Sequence, residues 1–388
     1  MSDTTLELTD QEGLLHAHGR LQEHLPLHAE GSVCTPDDLL HVLLGVAAKR
    51  GTLESVCADL VGPPDPQTLR GSLKEHLGVE ELPELERRLK AALAAEMPRR
   101  VRRQARAVAI DCHARPDYGK PSQANGLWVR GKATDGTTRF YRVATAYVRL
   151  NGLRVTLALH CVRPPQDPGS VLDTLLTALQ RQGIRVAGRY LDKGFDGIAV
   201  MAYLTRRQQP AVSACPVRGR TGGTRARCRG TPSYLTFHTF TGAHGPEFPA
   251  TLAVGRGFTP ATRTHRLTRR AEWRLFMLSQ LFVVPPQVRR RYRRRFGIET
   301  SSRCTGQVRG WTTAPKPAYR FVWIARAVVL LNVWIHLRWI FTQVPRRGRR
   351  WLDTTRFQLR RFARFIPHAL ERLYGCVQAI TAPALPRC

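Results

Sequence analysis

Carboxylates are scarce over most of this chain. Of its 29 Asp and Glu, 17 fall in residues 1–97, which leaves 12 in residues 98–388 to face 53 Lys and Arg. The first stretch therefore carries −9 and the remainder +41, a net of +32 over 388 residues. A field of that sign draws in a polyanion, and the excess of arginine over lysine suits phosphate, which the planar guanidinium grips bidentately. Nucleic acid is the leading partner. Cysteine is used without pairing: there are nine, an odd number, and no CxxC. Together with an opening MSDTTLELTD that lacks an apolar signal core, this points to a reducing interior and a cytoplasmic, nucleoid-associated protein. An unbroken apolar run is also missing. The most hydrophobic segment, FVWIARAVVLLNVWIHLRWIF (321–341), is interrupted by Arg326, Asn332, His336 and Arg338, so it reads as a buried helix and not as a membrane span, and no membrane is expected among the partners. No internal repeat is evident.

What is present organises into segments. Residues 1–97 read as short capped helices: TDQE places a capping box from Thr9 to Glu12, and TPDDLLHVLLGVAAKRG puts Thr35 at an N-cap, Pro36 at the first helical position and Gly51 beyond the end. In DPQTLRGSLKEHLG, Asp65 caps and Leu69, Leu73 and Leu77 form one apolar face. With the preceding TLESVCADL it resembles helix-turn-helix, and Gln67, Thr68, Arg70 and Lys74 on the other face are candidate DNA contacts. After the basic linker MPRRVRRQAR the period changes. ARAVAIDC, TRFYRVATAYVRL and GLRVTLALHCV read as strands, SVLDTLLTALQRQG as a helix and VAGRYLD as a further strand. That order fits an α/β fold with an RNase H-like catalytic core, its first part over 98–204. Residues 205–280 read as a β-rich insertion, and helices are expected to return with RAEWRLFMLSQLF, PPQVRRRYRRRFG and the 321–341 run. Residues 281–345 would then hold the catalytic helix and the remaining core, and 346–388 a basic tail. The whole is an all-α N-terminal domain followed by that core.

Two of the scarce carboxylates end predicted strands, Asp111 in AVAID and Asp192 in RYLD. In the RNase H-like order these strands are parallel neighbours, so both side chains fall at one sheet edge, where ligands bind in open α/β sheets. Glu299 on a helix can add a third oxygen donor. Tyr292, Arg295 and Glu299 stand at i, i+3 and i+7, within about 60° of one another, and share a helix face. Hard oxygen ligands suit two Mg²⁺ or Mn²⁺ ions acting on a phosphodiester. An Asp at a strand end more often caps a turn, and Asp117 and Asp196 are the nearest substitutes for the two predicted here.

IDCHARPDYGK around Asp111, LDKGF around Asp192 and Tyr292-x2-Arg295-x3-Glu299 resemble the three catalytic motifs of bacterial and archaeal insertion-sequence DDE transposases whose third motif is Tyr-x2-Arg-x3-Glu-x6-Lys. The resemblance runs over residues 105–345. It implies Asp111, Asp192 and Glu299 as catalytic metal ligands, Tyr292 and Arg295 as contacts to the DNA end, terminal inverted repeats and target DNA as substrates, and a homodimer in the synaptic complex. One element departs: the motif lysine falls on Gly306, which leaves Arg303 or Arg309 to take its phosphate contact. Trp273 and Trp311, on either side of the third motif, could stack on an unpaired base. The competing functions are an RNase H-like nuclease or resolvase and a catalytically decayed DNA-binding regulator. Cys215, Cys228, His238 and His244 lack zinc-knuckle spacing.

Overall fold

The computed structural model of the chain describes residues 6–25, 27, 33–75, 77–78, 80–118, 127–150, 153–230, 233–241, 247–258, 271–281, 283–295, 304–312, 314, 316–346 and 349–379. Its helices are α1 (Asp10–His24), α2 (Pro36–Lys49), α3 (Leu53–Ala58), α4 (Pro66–Glu75), α5 (Leu82–Ala95), α6 (Arg99–Arg103), α7 (Pro168–Arg181), α8 (Ile198–Arg206), α9 (Pro285–Arg295), α10 (Pro317–Phe341) and α11 (Leu359–Tyr374). Its strands are β1 (Arg106–Pro116), β2 (Val129–Thr134), β3 (Thr137–Leu150), β4 (Leu153–Cys161), β5 (Val186–Leu191), β6 (Ala211–Cys215), β7 (Tyr234–Phe240), β8 (Phe248–Phe258), β9 (Ala271–Ser279), β10 (Gln343–Arg346) and β11 (Arg349–Leu352). They divide into two compact units: Met1–Met97 with Gly119–Gly126 and Thr300–Cys388, and Pro98–Tyr118 with Leu127–Glu299.

The first unit is helical because its sequence supplies starts, stops and apolar faces. Thr9 and Glu12 form the reciprocal capping box of α1, and Thr35 with Asp38 does the same for α2. The stop of α2 falls on Arg50, which takes the left-handed conformation (φ 58°), one residue before Gly51. On α4, Asp65 Oδ1 accepts from the Gln67 N–H at 2.7 Å, and Leu69 and Leu73 are buried, as is Leu77 beyond the helix end. The N-terminal helices close on C-terminal ones: α1 and α2 pack on α11, and α5 on α10. Helix α10 is long and apolar enough to cross a membrane by length and composition, yet 72% of its most apolar window is buried inside the protein. Arg326, Asn332 and Arg338 are buried with it.

The second unit is built on one nine-stranded mixed sheet. One half runs β4-β3-β1-β5-β6: β3 is antiparallel to both β4 and β1, whereas β1, β5 and β6 are mutually parallel. Strand β2 forms a hairpin on the other end of β3, turned by Asp135 (φ 52°) and Gly136 (φ 77°). Beyond β6 the sheet continues as the antiparallel meander β9-β8-β7. Helix α7 packs on β3 and β4, α8 on β8 and β9, and α9 on β8.

One expectation is corrected. RAEWRLFMLSQLF, predicted helical, forms strand β9. Leu275, Phe276, Met277 and Leu278 are all buried, and the strand is hydrogen-bonded to β6 on one side and β8 on the other. A short continuous apolar run reads alike as a covered strand or a buried helix, and here pairing with two neighbours decides. Strands β2 and β6 and helix α8 are additions to the sequence reading.

Candidate active site

Strand β1 pairs in parallel with β5 up to Ile110 and Leu191, and the Asp192 N–H carries the ladder one step further by donating to the Ile110 carbonyl at 3.2 Å. Asp111, midway along β1, and Asp192, just past the end of β5, therefore lie side by side where the parallel pairing stops; β1 itself runs on to Pro116 against β3, so the expectation that Asp111 ends its strand is corrected. Asp111 is only 6% exposed; its Oδ1 accepts from the Cys112 N–H at 2.8 Å, and His113 Nε2 stands 3.6 Å from Oδ2. Both carboxylates act on the same neighbours. Burial, partly opposed by Arg142, raises the Cys112 thiol to about 11, and Asp111 and Asp192 push it the same way. Burial also holds His113 below its ordinary value, helped by Arg154 and Arg115, while Asp111 and Asp192 pull against it.

After Asp192 the chain makes a 3-10 turn over Lys193–Phe195, anchored by buried Phe195, whose N–H donates to the Asp192 carbonyl at 2.9 Å. Asp196 closes the turn. Burial raises its carboxyl and the guanidinium of Arg218 opposes that shift. The pair ties the arginine- and glycine-rich loop after β6 to the end of β5. Within the loop Gly219 (φ 92°) has no room for a side chain, since a Cβ would meet the Gly222 carbonyl oxygen at 2.4 Å. Asp117, in contrast, sits six residues beyond Asp111, buried, with its N–H donating to the Arg139 carbonyl and its own carbonyl accepting from the Thr137 hydroxyl.

Helix α9 carries the third motif. Tyr292 is 4% exposed, packs its ring 4.7 Å from that of Phe276 and donates its hydroxyl to the Leu191 carbonyl at 3.0 Å. The side chain faces the sheet, and its bond falls on the residue just before Asp192. Arg295 is the last residue of α9; Glu299 and Arg303 lie outside the described residues. Gly306 is helical, with open space where a side chain would go.

Arginine gathers on α9 and its surroundings. Arg149, Arg256, Arg289, Arg290 and Arg293 line a groove of 620 Å³ with Ser233 and the Pro285–Pro286 turn. Sequence reasoning took Tyr292 and Arg295 from this helix and passed over Arg289, Arg290 and Arg293, although PPQVRRRYRRR already displayed them. Trp273 on β9 is half-buried beneath Arg256, whose guanidinium lies 5.7 Å from the ring centre. The other predicted DNA contacts belong to the helical unit. Gln67, Thr68 and Lys74 are exposed on α4, and Arg70 pairs with Glu54 of α3. Arg309 is half-buried over the exposed ring of Trp311, 5.3 Å from its centre. Arg70, Lys74, Trp311, Tyr319 and Trp323 share a cleft of 480 Å³.

No protein-family model matches the chain, and no curated protein matches it in sequence. A solved structure does match in three dimensions: the cryo-EM structure of a piggyBac transposase synaptic complex with hairpin DNA, at a TM-score of 0.54 and 10% identity. The match covers 93% of this chain and 76% of that one. This chain has the fold of a transposase. At 10% identity the likeness extends to the fold alone.

Proposed function

We propose that the chain is a DNA transposase of an insertion sequence, cutting element ends and joining them to target DNA by phosphoryl transfer at Asp111, Asp192 and Glu299. The observation that carries this reading is the pair of carboxylates set side by side where the parallel pairing of β1 and β5 stops, with Tyr292 fastening the third-motif helix to the carbonyl beside one of them. The strand order β4-β3-β1-β5-β6, with only β3 reversed, supports an RNase H-like core whose sheet continues into the β7–β9 insertion. The transposase fold of the solved neighbour supports the same class.

The donor set fits hard divalent ions, since both described candidates are carboxylates on neighbouring strands. Asp111, Asp192 and Glu299 would hold two Mg²⁺ or Mn²⁺ ions. Such a pair activates an attacking water or 3′-OH and stabilises the departing oxygen of the phosphodiester. The protein's remaining work is to place the strand. The arginine groove neutralises its phosphates, and Arg303 or Arg309 takes the contact of the lysine that Gly306 replaces. Two such chains would bring two element ends together, in the nucleoid of a cytoplasmic host.

The decisive experiment compares the wild type with Asp111→Asn, Asp192→Asn and Glu299→Gln on a duplex ending in the element's terminal repeat, with Mg²⁺ and a target plasmid. Each variant should lose cleavage and joining while DNA affinity stays within a few-fold. Cleavage without joined product in the wild type would assign a nuclease or resolvase. Absent cleavage in the wild type would assign a DNA-binding regulator, and metal-independent cleavage would remove the two-metal mechanism.

A further inference from the structure

The helical unit holds a second cluster of metal-ligating groups, and it is of a different chemical kind. His16 on α1, Glu96 just past α5 and His336 on α10 bring one donor atom each within 4.8 Å of one another. Glu96 is the centre. Its side chain is fully buried, an arrangement that a bare carboxylate tolerates only with compensation. Its Oε1 is compensated: Arg20 Nε donates to it at 2.6 Å and His16 Nε2 stands 3.2 Å away. Its Oε2 has no hydrogen-bond partner, and His336 Nδ1 lies 3.5 Å from it. The two imidazoles stack at a 16° interplanar angle with centroids 5.5 Å apart.

We propose that His16, Glu96 and His336 form a structural site for a borderline transition-metal dication, of which Zn²⁺ is the type. Two imidazole nitrogens and one carboxylate oxygen form a donor set that zinc accepts, and donors around such an ion sit roughly 3–4 Å apart, against donor atoms that here lie within 4.8 Å of one another. Oε2 supplies the carboxylate bond because Arg20 occupies Oε1. The His16 and His336 side chains are 29% and 35% exposed, so the cluster opens to solvent and a water completes the shell. The ion would join three helices that converge from distant parts of the sequence. Its role is therefore to fasten the fold of the helical unit. The hard-oxygen pair of the other unit does the opposite kind of work, and Mg²⁺ has no affinity for an imidazole-rich site.

The test uses the full chain without a histidine tag, in an Asp111→Asn, Asp192→Asn background that removes the carboxylate pair. Zn²⁺ is titrated by calorimetry, Co²⁺ is followed by its visible ligand-field absorption, and unfolding temperature is recorded with and without Zn²⁺. One equivalent of Zn²⁺ should bind and raise the unfolding temperature, and bound Co²⁺ should show the intense bands of a low-coordinate nitrogen and oxygen site. His336→Gln, a half-exposed change that leaves Arg20 on Glu96, should weaken Zn²⁺ by at least ~10-fold and abolish its thermal effect, and His16→Gln should do the same. Undiminished Zn²⁺ binding by a folded His336→Gln chain, or no binding by the parent, overturns the proposal and leaves the cluster a carboxylate shared between two imidazoles.

Discussion

Tyr292 separates two accounts of the third motif, and Tyr292→Phe tests them with the least disturbance. The change removes one oxygen and keeps the ring against Phe276, so no cavity forms; Tyr292→Ala would open one at a cost of roughly 3–5 kcal/mol and confuse the result. The lost bond runs to the Leu191 carbonyl, which sits in the interior and finds no water in exchange. A net loss of about 1–2 kcal/mol follows, near 2–4 °C per kcal/mol in a unit of this size. The larger effect falls on chemistry. Leu191 precedes Asp192, so releasing α9 from that carbonyl loosens the relation between the second and third acids, and misplacements of about 1 Å lower rates by up to ~100-fold. Single-turnover cleavage at saturating DNA should therefore fall ~10-fold or more, with affinity for the DNA end unchanged because the hydroxyl is buried. If Tyr292→Phe instead weakens DNA binding and leaves the saturated rate intact, the hydroxyl reaches the DNA and the buried bond to Leu191 is not the working arrangement. Wild-type rate and stability together would show that the bond positions nothing.

Arg290→Ala and Arg293→Ala, on the exposed side of α9, should each weaken DNA binding about equally for all sequences and reduce the slope of log K against log salt by about 1, as measured by fluorescence anisotropy across a salt series; unchanged slopes would place the strand elsewhere. Arg303→Ala should lower end-specific cleavage ~10-fold, with Arg303→Lys recovering much of it, while Arg309→Ala acts as a general binding defect; a full-rate Arg303→Ala enzyme moves the phosphate contact away from Arg303. Arg326 is fully buried, its guanidinium 4.1 Å over the Trp323 ring and without a hydrogen-bond partner among the described residues, and burial lowers its pKa to about 9. Because the folded chain holds this proton less tightly than the unfolded one, the penalty is complete below that pKa and fades only as pH rises from about 9 toward the ordinary arginine value of 12.5. Arg326→Met should thus stabilise by ~1–4 kcal/mol in urea unfolding, equally at pH 6 and pH 8, and a destabilised variant would mean that the charge has a partner.

The parts of this fold legible in the sequence are those with local causes. Thr9 with Glu12, Thr35 with Asp38, and Asp65 before Pro66 announce helix starts through side chains that bond to their own backbone, and the structure uses each one. Alternating β-branched Val108 and Ile110 before Asp111 mark strand β1, and the parallel ladder with β5 sets that acid beside Asp192. What escapes is set by partners remote in sequence. Ala271–Ser279 carries an apolar run that reads alike as helix or strand, and becomes β9 because β6 and β8 supply hydrogen bonds along both edges. Tyr292 has the same cause at the scale of one side chain. Its spacing to Arg295 gives it a motif position on α9, whereas Phe276 and the Leu191 carbonyl draw it into the core. A motif thus fixes which residues share a helix face, and the sheet beneath decides which of them touch substrate and which hold the others in place.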